Sequence, residues 1–142
     1  MRVEVVQQAD DELVEAMALL VPQLSTSATP PGIAELMEIA ATPSTRLLVA
    51  RDDTGSIVGT LTLLLDRTPT GVGARIEAVV VDRAARGQGV GEALTREAIR
   101  LAELGSARSV DLTSRPEREA ADRLYRRLGF EPRDTHVYRL RL

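Results

Sequence analysis

The residues able to do chemistry gather around one stretch, Arg86-Gly87-Gln88-Gly89-Val90-Gly91, which joins the most strand-like run of the chain (Ile76 to Val81) to the most helix-like one (Val90 to Leu104). Glycines at alternate positions remove the Cβ atoms that would hold a ligand away from the backbone, and they accept the positive φ that tight turns demand. A helix starting beyond Gly89 adds its first unpaired N–H groups and the positive end of its dipole. The chemistry this suits is the capture of a phosphate or diphosphate. Arg83 and Arg86 flank the turn and supply positive potential, worth less if they are exposed. Upstream, Glu77 is the only carboxylate in the strand that leads into the turn, and it reads either as a general base or as the partner of Arg75 or Arg46. Downstream, Tyr125 reads either as a proton donor or as a core residue whose hydroxyl needs a partner.

Other chemistries are excluded by what is missing. The chain has 142 residues and no cysteine, so a disulfide framework, thiolate metal sites and a cysteine nucleophile are out, and a single histidine, His136, rules out a histidine-rich metal centre. His136 itself receives no role. All eighteen basic residues are arginine, and the only aromatics are Tyr125, Phe130 and Tyr138, too few to stack bases. No nucleic-acid partner is expected. Nor is a membrane partner, because no apolar run approaches the roughly 18 to 20 residues that span a bilayer. The start, Met1 to Gln7, lacks the long apolar region of a signal peptide, and a cytoplasmic location is expected. Residues 1–45 hold one arginine (Arg2) against seven acids (Glu4, Asp10, Asp11, Glu12, Glu15, Glu35, Glu38) and the remainder seventeen arginines against fourteen acids, which leaves charges of −6 and +3. Such polarity is either solvated surface or a field that acts on a charged ligand.

The elements that must position these groups follow from periodicity. A length of 142 residues with 44% hydrophobic and 27% charged residues fits one domain, residues 1–142. Val3 and Val5 alternate with Arg2 and Glu4 as a strand, and Asp10 or Asp11 can cap a helix carrying Leu13, Met17, Leu20, Val21 and Leu24. After the breaker run Ser25 to Gly32, a short helix is marked by Ile33, Leu36, Met37 and Ala40, whose stripe reads as core. Arg46 to Arg51 and Ser56 to Asp66 flank Asp52-Asp53-Thr54-Gly55 as a hairpin. A loop, Arg67 to Gly73, then leads to a strand, Ala74 to Val81, whose end is apolar on both faces and so belongs in the middle of the sheet. Val90, Leu94, Ala98, Leu101 and Ala102 form one helical face stopped by Gly105, and Ser109 to Thr113 follows as a parallel strand. Ser114, Pro116 and Glu117 announce a helix carrying Ala121, Leu124, Tyr125 and Leu128, which Gly129 ends. Residues 136–142 alternate as a last strand, paired with a short one near Phe130-Glu131.

Two glycine-rich folds compete for the turn and fail. A dinucleotide-binding fingerprint would place its third glycine one position beyond Gly91 and would not sit mid-chain with a single helix to follow, although Asp111 stands twenty residues past Gly91. A Walker A loop needs a lysine, and the chain has none.

From the Ile76-Glu77-Ala78-Val79-Val80-Val81 strand to Phe130, the sequence resembles the GNAT superfamily of acyl-CoA-dependent N-acyltransferases. Arg86, Gly89 and Gly91 fill that family's Arg/Gln-x-x-Gly-x-Gly/Ala diphosphate loop, and Leu124-Tyr125-Arg126-Arg127-Leu128-Gly129-Phe130-Glu131 is similar to its later segment, a tyrosine near a helix end before Gly-Phe. These motifs cover about half the chain, while residues 1–45 match only in element order. The resemblance implies an α/β (α+β) fold, ordered β-α-α-β-β-β-α-β-α-β-β, with about four helices on a mixed, largely antiparallel sheet of six to seven strands. It implies acetyl-CoA as cosubstrate and direct attack by a primary amine in a ternary complex, with a homodimer left open. Val79, Val80, Val81, Arg86, Gly87, Gln88, Gly89, Val90 and Gly91 are then the cofactor-binding set, the family's splayed strands leaving N–H groups near Val79 for the oxyanion. Tyr125 protonates the departing thiolate and Glu77 takes the amine proton, directly or through water. One departure is visible: many members carry asparagine seven residues before the tyrosine, and here Arg118 stands there, either as a donor to a CoA phosphate or as an exposed helix residue. The −6 charge of residues 1–45, in the region where the family's helices border the acceptor, favours a cationic amine. The alternative is a module of the same fold that senses acyl-CoA, or binds a protein, without turnover.

Overall fold

The computed structural model describes residues 1–142 in the order β1 (Arg2–Val5), α1 (Asp11–Leu24), α2 (Ile33–Ala41), β2 (Thr45–Arg51), β3 (Ile57–Thr68), β4 (Gly71–Val81), a 3-10 turn (Arg83–Ala85), α3 (Val90–Leu104), β5 (Val110–Asp111) and α4 (Glu119–Arg127). The five strands lie in sequence order in one sheet, antiparallel except for the β4 and β5 pair. No helix is long and apolar enough to cross a membrane.

Strand alternation sends alternate side chains to opposite faces, and each face meets a different helical layer. Leu48, Ala50, Leu61, Leu63, Ala74 and Ile76 face α3, whose Val90, Leu94, Ala98 and Ala102 are buried against them. Leu47, Val49 and Val80 face α1 and α2, meeting Leu13, Met17, Leu20 and Leu36. Asp10 caps α1 by accepting from the Leu13 N–H at 2.9 Å, and Glu35 reaches back to the Gly32 N–H at the start of α2. The stripe expected on α2 is only partly core: Leu36 is buried, whereas Ile33 and Met37 are exposed.

The expected loop before β4 is a tight hairpin instead. β3 and β4 stay paired to Thr68 and Gly71, which leaves only Pro69 and Thr70 between them. At the end of α3 the left-handed position falls on Ser106 (φ 62°) and not on Gly105 (φ −81°). Gly105 instead sits close to β3, where a Cβ would come within 3.2 Å of the Leu65 Cδ1 methyl. The last helix begins at Glu119, later than Ser114 and Pro116 suggest, because residues 115–118 close a turn of their own, with the Arg118 N–H on the Arg115 carbonyl at 3.0 Å.

The sheet has five strands where six to seven were expected, and the closing hairpin from Phe130 to Leu142 is not formed. β5 offers only two paired residues as a template, Pro132 has no N–H to give to a ladder, and residues 131–142 are all exposed. Alternation in the sequence is therefore not sufficient for a strand where no long edge receives it.

Gly59 holds the helical layer close. It pairs with Ala50 and Val81, and a Cβ added there would lie 2.9 Å from Val90 Cγ1, 3.2 Å from Leu94 Cδ1 and 3.3 Å from the Val80 carbonyl. The first turn of α3 thus rests directly on β3. Gly59→Ala overpacks this contact and is expected to destabilise the fold by about 1–3 kcal/mol, read as a lowered urea midpoint at unchanged m-value.

Candidate functional site at the open end of strand β4

β4 is paired along its whole length by β3 but only at Ala74 and Arg75 by β5. Its C-terminal half therefore has a bare edge. Within that half the ladder slips: Thr62 pairs with Glu77 and Thr60 with Val80, so Ala78 and Val79 together oppose Leu61 as a bulge. Ala78 pays for this with φ 53°, a left-handed conformation that a residue with a Cβ rarely adopts. Counting back from Val80, which is paired to Thr60, alternation points the Val79 N–H at the bare edge. Val81 faces the same way, and its carbonyl accepts from Arg86 Nε at 3.2 Å. Val79 and Val81 pack towards the α3 side and Val80 is buried on the α1 side, as expected of an end apolar on both faces. The edge, unlike the faces, is uncovered.

The turn that follows is a run of free donors. Gly87 (φ 77°) and Gly89 (φ 82°) are left-handed, Gly89 is the N-cap of α3, and around the Cβ position of each there is open space. The first helical bond of α3 runs from the Ala93 N–H to the Gly89 carbonyl at 3.0 Å, and no N–H from Gly87 to Glu92 has a partner in the protein. Six consecutive amides, including those of Gln88, Val90 and Gly91, lie unpaired at the positive end of a fifteen-residue helix. Such a cradle fits a diphosphate in charge and in room. Gly91 differs from its two neighbours: its φ is not positive, and a Cβ there would make ordinary contacts of 3.8 Å with Leu124 and Val81.

α4 is docked over this turn. Leu124 packs on Gly91, and Arg127 donates to Glu92, which also receives Arg96 Nε at 3.2 Å. Arg127 first, then Arg96, holds the Glu92 carboxyl below its ordinary range, so the clasp is charged at neutral pH and loosens only in acid. The helix ends in a Schellman motif: Phe130 N–H to the Tyr125 carbonyl at 2.9 Å and Gly129 N–H to the Arg126 carbonyl at 3.1 Å, with Gly129 at φ 99°. This cap is the physical content of the Gly-Phe pair. It folds Phe130 back edge-on to the Tyr125 ring, with centroids 5.7 Å apart. Tyr125 is half-buried, and its hydroxyl makes no hydrogen bond within the protein. Burial pushes the phenol above its ordinary pKa, while the charge of nearby Arg118 pulls the other way. Arg118 is the exposed N-cap of α4.

Glu77 lies on the opposite side of the sheet, the α1 side, with Arg75, and is exposed there. Arg75 Nε donates to Glu77 at 2.6 Å and its Nη2 to Thr113 at 2.7 Å, so Arg75 and not Arg46 is the partner. Glu77 thus lies on the α1 face of β4, while Tyr125 belongs to α4, beside Leu124 at the start of α3. Past Arg75, towards the far end of β4, the same face opens into a polar recess of about 300 Å³ whose wall includes Asp66, Asp111 and Arg108. His136 lies in the exposed terminal segment, 6.0 Å from the Tyr138 ring, away from these elements. No group of acidic, histidine or cysteine side chains is placed to hold a metal ion. Ala78 and Gly59 escaped the sequence reading. An isolated glycine within a strand pattern is a known mark of close approach, but nothing announces an alanine that will carry a bulge.

Comparison with known proteins identifies the family and the fold. The family model described as acetyltransferase (GNAT) family matches residues 13–130. The chain belongs to that family, whose members use acetyl-CoA. Among solved structures it is similar to a putative acetyltransferase from Agrobacterium tumefaciens str. C58, with 26% identity, 100% of both chains covered and a TM-score of 0.83. It also shares its fold with AAC(6')-Iy in complex with the bisubstrate analogue CoA-S-monomethyl-acetylneamine (20% identity, 100% of both chains, TM-score 0.76). A ribosomal-protein-alanine N-acetyltransferase from Brucella melitensis biovar Abortus 2308 is a third (21% identity, 100% of both chains, TM-score 0.77). No curated protein matches by sequence.

Gly89 and Gly91 should separate on substitution. Gly89→Ala is expected to cost about 1–2 kcal/mol for its left-handed backbone, whereas Gly91→Ala, inside the helix, should gain about 0.5–1 kcal/mol. Chemical denaturation of the two variants checks the contrast.

Proposed function

We propose that this protein transfers the acetyl group of acetyl-CoA to a primary amine, by direct attack while both substrates are bound. The observation that carries this reading is the run of six partnerless amides from Gly87 to Glu92 beside the bare edge of β4. The turn and Arg86 would bind the diphosphate, and the edge at Val79 to Val81 would pair with the amide-bearing arm. Arg118, beside the mouth, would add a charged donor to a phosphate. Acetyl-CoA supplies the activated thioester.

The remaining roles belong to the chain's own groups. Glu77 would take the proton that the amine must lose, directly or through one water; release from Arg75 would be part of its action. The Val79 N–H would donate to the carbonyl oxygen as negative charge gathers on it. Tyr125, a phenol protonated at neutral pH and pushed further up by burial, would give its proton to the departing sulfur.

A cationic acceptor fits the charges. Of the seven acids in residues 1–45, Glu4 and Glu12 are held by Arg51, and Asp10 and Glu35 cap helices, which leaves Asp11, Glu15 and Glu38 for a longer-range field. Asp66 and Asp111, in the polar recess on the open face, add to it. A thiol-release screen across small amines, amino acids, polyamines, antibiotics and peptide N-termini tests the reading. Turnover confined to neutral or acidic acceptors would reject the cationic class, and binding of acetyl-CoA with no turnover on any amine would favour the sensing module.

Two variants separate the proton-transfer roles. Tyr125→Phe keeps the Phe130 contact and removes the donor, so kcat is expected to fall by about 10²–10⁴ with acetyl-CoA affinity retained and no rescue by pH. Glu77→Gln should lose activity most at neutral pH and recover as rising pH deprotonates the amine. Full activity in Tyr125→Phe would return the residue to a packing role, and a Glu77→Gln defect that is flat with pH would make Glu77 the structural partner of Arg75.

A further inference from the structure

We propose that Gln23 is a positioning residue for the diphosphate turn, tying the last turn of α1 to the backbone that enters the turn from β4. The inference rests on the function proposed above. Gln23 Oε1 accepts from the Arg83 N–H at 2.9 Å, and its Nε2 donates to Asp82 Oδ1 at 3.3 Å and to the Leu19 carbonyl at 3.2 Å. The bonds to Arg83 and Asp82 cross 60 and 59 residues of sequence. Asp82 Oδ1 accepts in addition from the Ala84 N–H at 3.4 Å and so caps the 3-10 turn, residues 83–85.

The contact sits where orientation matters. Leu20, one helical turn earlier on the same face, is buried against Val80, so the apolar core already brings α1 to the end of β4. An apolar contact fixes distance but not rotation. The paired bonds of one carboxamide do fix it, since one atom must accept and the other donate. Between Val81 and Gly89 the other side-chain bonds, Asp82 on the Ala84 N–H and Arg86 on the Val81 carbonyl, are internal to that segment. Gln23 therefore supplies the connection from outside. It sets the direction of the amides at Gly87 to Glu92, and it joins them to the helix that runs into the Ser25 to Gly32 loop. The end of α1 and the entry to the turn are held in one frame by a side chain that touches neither substrate.

The chemistry makes a sharp test. Gln23→Glu keeps the shape but turns the donor into an acceptor facing Asp82, and adding Asp82→Asn restores a donor to the pair. Acetyl-CoA affinity of the full chain is measured by calorimetry for wild type, Gln23→Glu, and the double variant, with circular dichroism verifying the fold. Gln23→Glu is expected to weaken binding about tenfold at about pH 8, the scale of one lost polar contact. Relative to wild type, the loss should shrink towards about pH 5, where the new carboxyl regains a proton. The double variant should bind within about threefold of wild type at both pH values. A Gln23→Glu that binds like wild type overturns the proposal, and so does a loss that neither acid nor Asp82→Asn repairs. Should Gln23→Glu not fold, Gln23→Met serves: a similar loss without pH dependence is expected, and wild-type affinity overturns the proposal. Wild-type chain that binds no acetyl-CoA rejects the proposed function itself and this inference with it, whereas a failed contrast among variants rejects Gln23 alone.

Discussion

A backbone N–H has to be paired, hydrated or kept for a ligand, and this fold concentrates its unpaired ones at one end of β4. Three independent features put them there. β5 pairs with β4 for two residues only, the bulge at Ala78 turns Val79 outward, and α3 begins on a left-handed glycine with its first amides free. Removing any one would close the site: a longer β5 would cap the edge, an unslipped ladder would send the Val79 amide into β3, and a side-chain cap would occupy the helix terminus. The rest of the architecture serves to keep this end of the sheet rigid while its edge stays bare.

That rigidity comes from both layers. Gly59 lets α3 sit on β3 so closely that the direction of its N-terminus is fixed by van der Waals contact with Val90 and Leu94. On the other face Leu20 and Val80 bring α1 to the end of β4, where Gln23 adds a directional bond. α4 is held less firmly, with no fully buried residue of its own. It depends on the Leu124 contact, the Glu92 and Arg127 clasp, and the Schellman cap that sets Phe130 edge-on to Tyr125. An element with few buried contacts beside the candidate site is the one most free to adjust.

Arginine as the only basic residue type has a structural counterpart. Arg51 bridges Glu4, Glu12 and the Gly55 carbonyl, and Arg75 bridges Glu77 and Thr113. Each uses the separated donors of the guanidinium to join elements distant in sequence, which an ammonium could do less well. Arg75 in particular spans from β4 to Thr113, beyond the last paired residue of β5, and so limits how far the two strands part.

The sequence by itself determined the elements whose signals are local. The glycine turn, the caps at Asp10 and Gly129, the 3.6-residue stripe of α3 and the apolar run at Val79 to Val81 each depend on neighbours within a few positions, and the residues alone were enough to read them. The family followed from the same local spacing. Tertiary structure decided the rest, because it turns on pairing between distant segments. Ala78 is left-handed only because Leu61 faces two residues, Gly91 is helical where the spacing suggested a third turn glycine, and Arg75 rather than Arg46 meets Glu77. The alternation of residues 136–142 stayed unpaired because a strand exists only where another edge accepts it, and no periodicity within one segment can specify that edge.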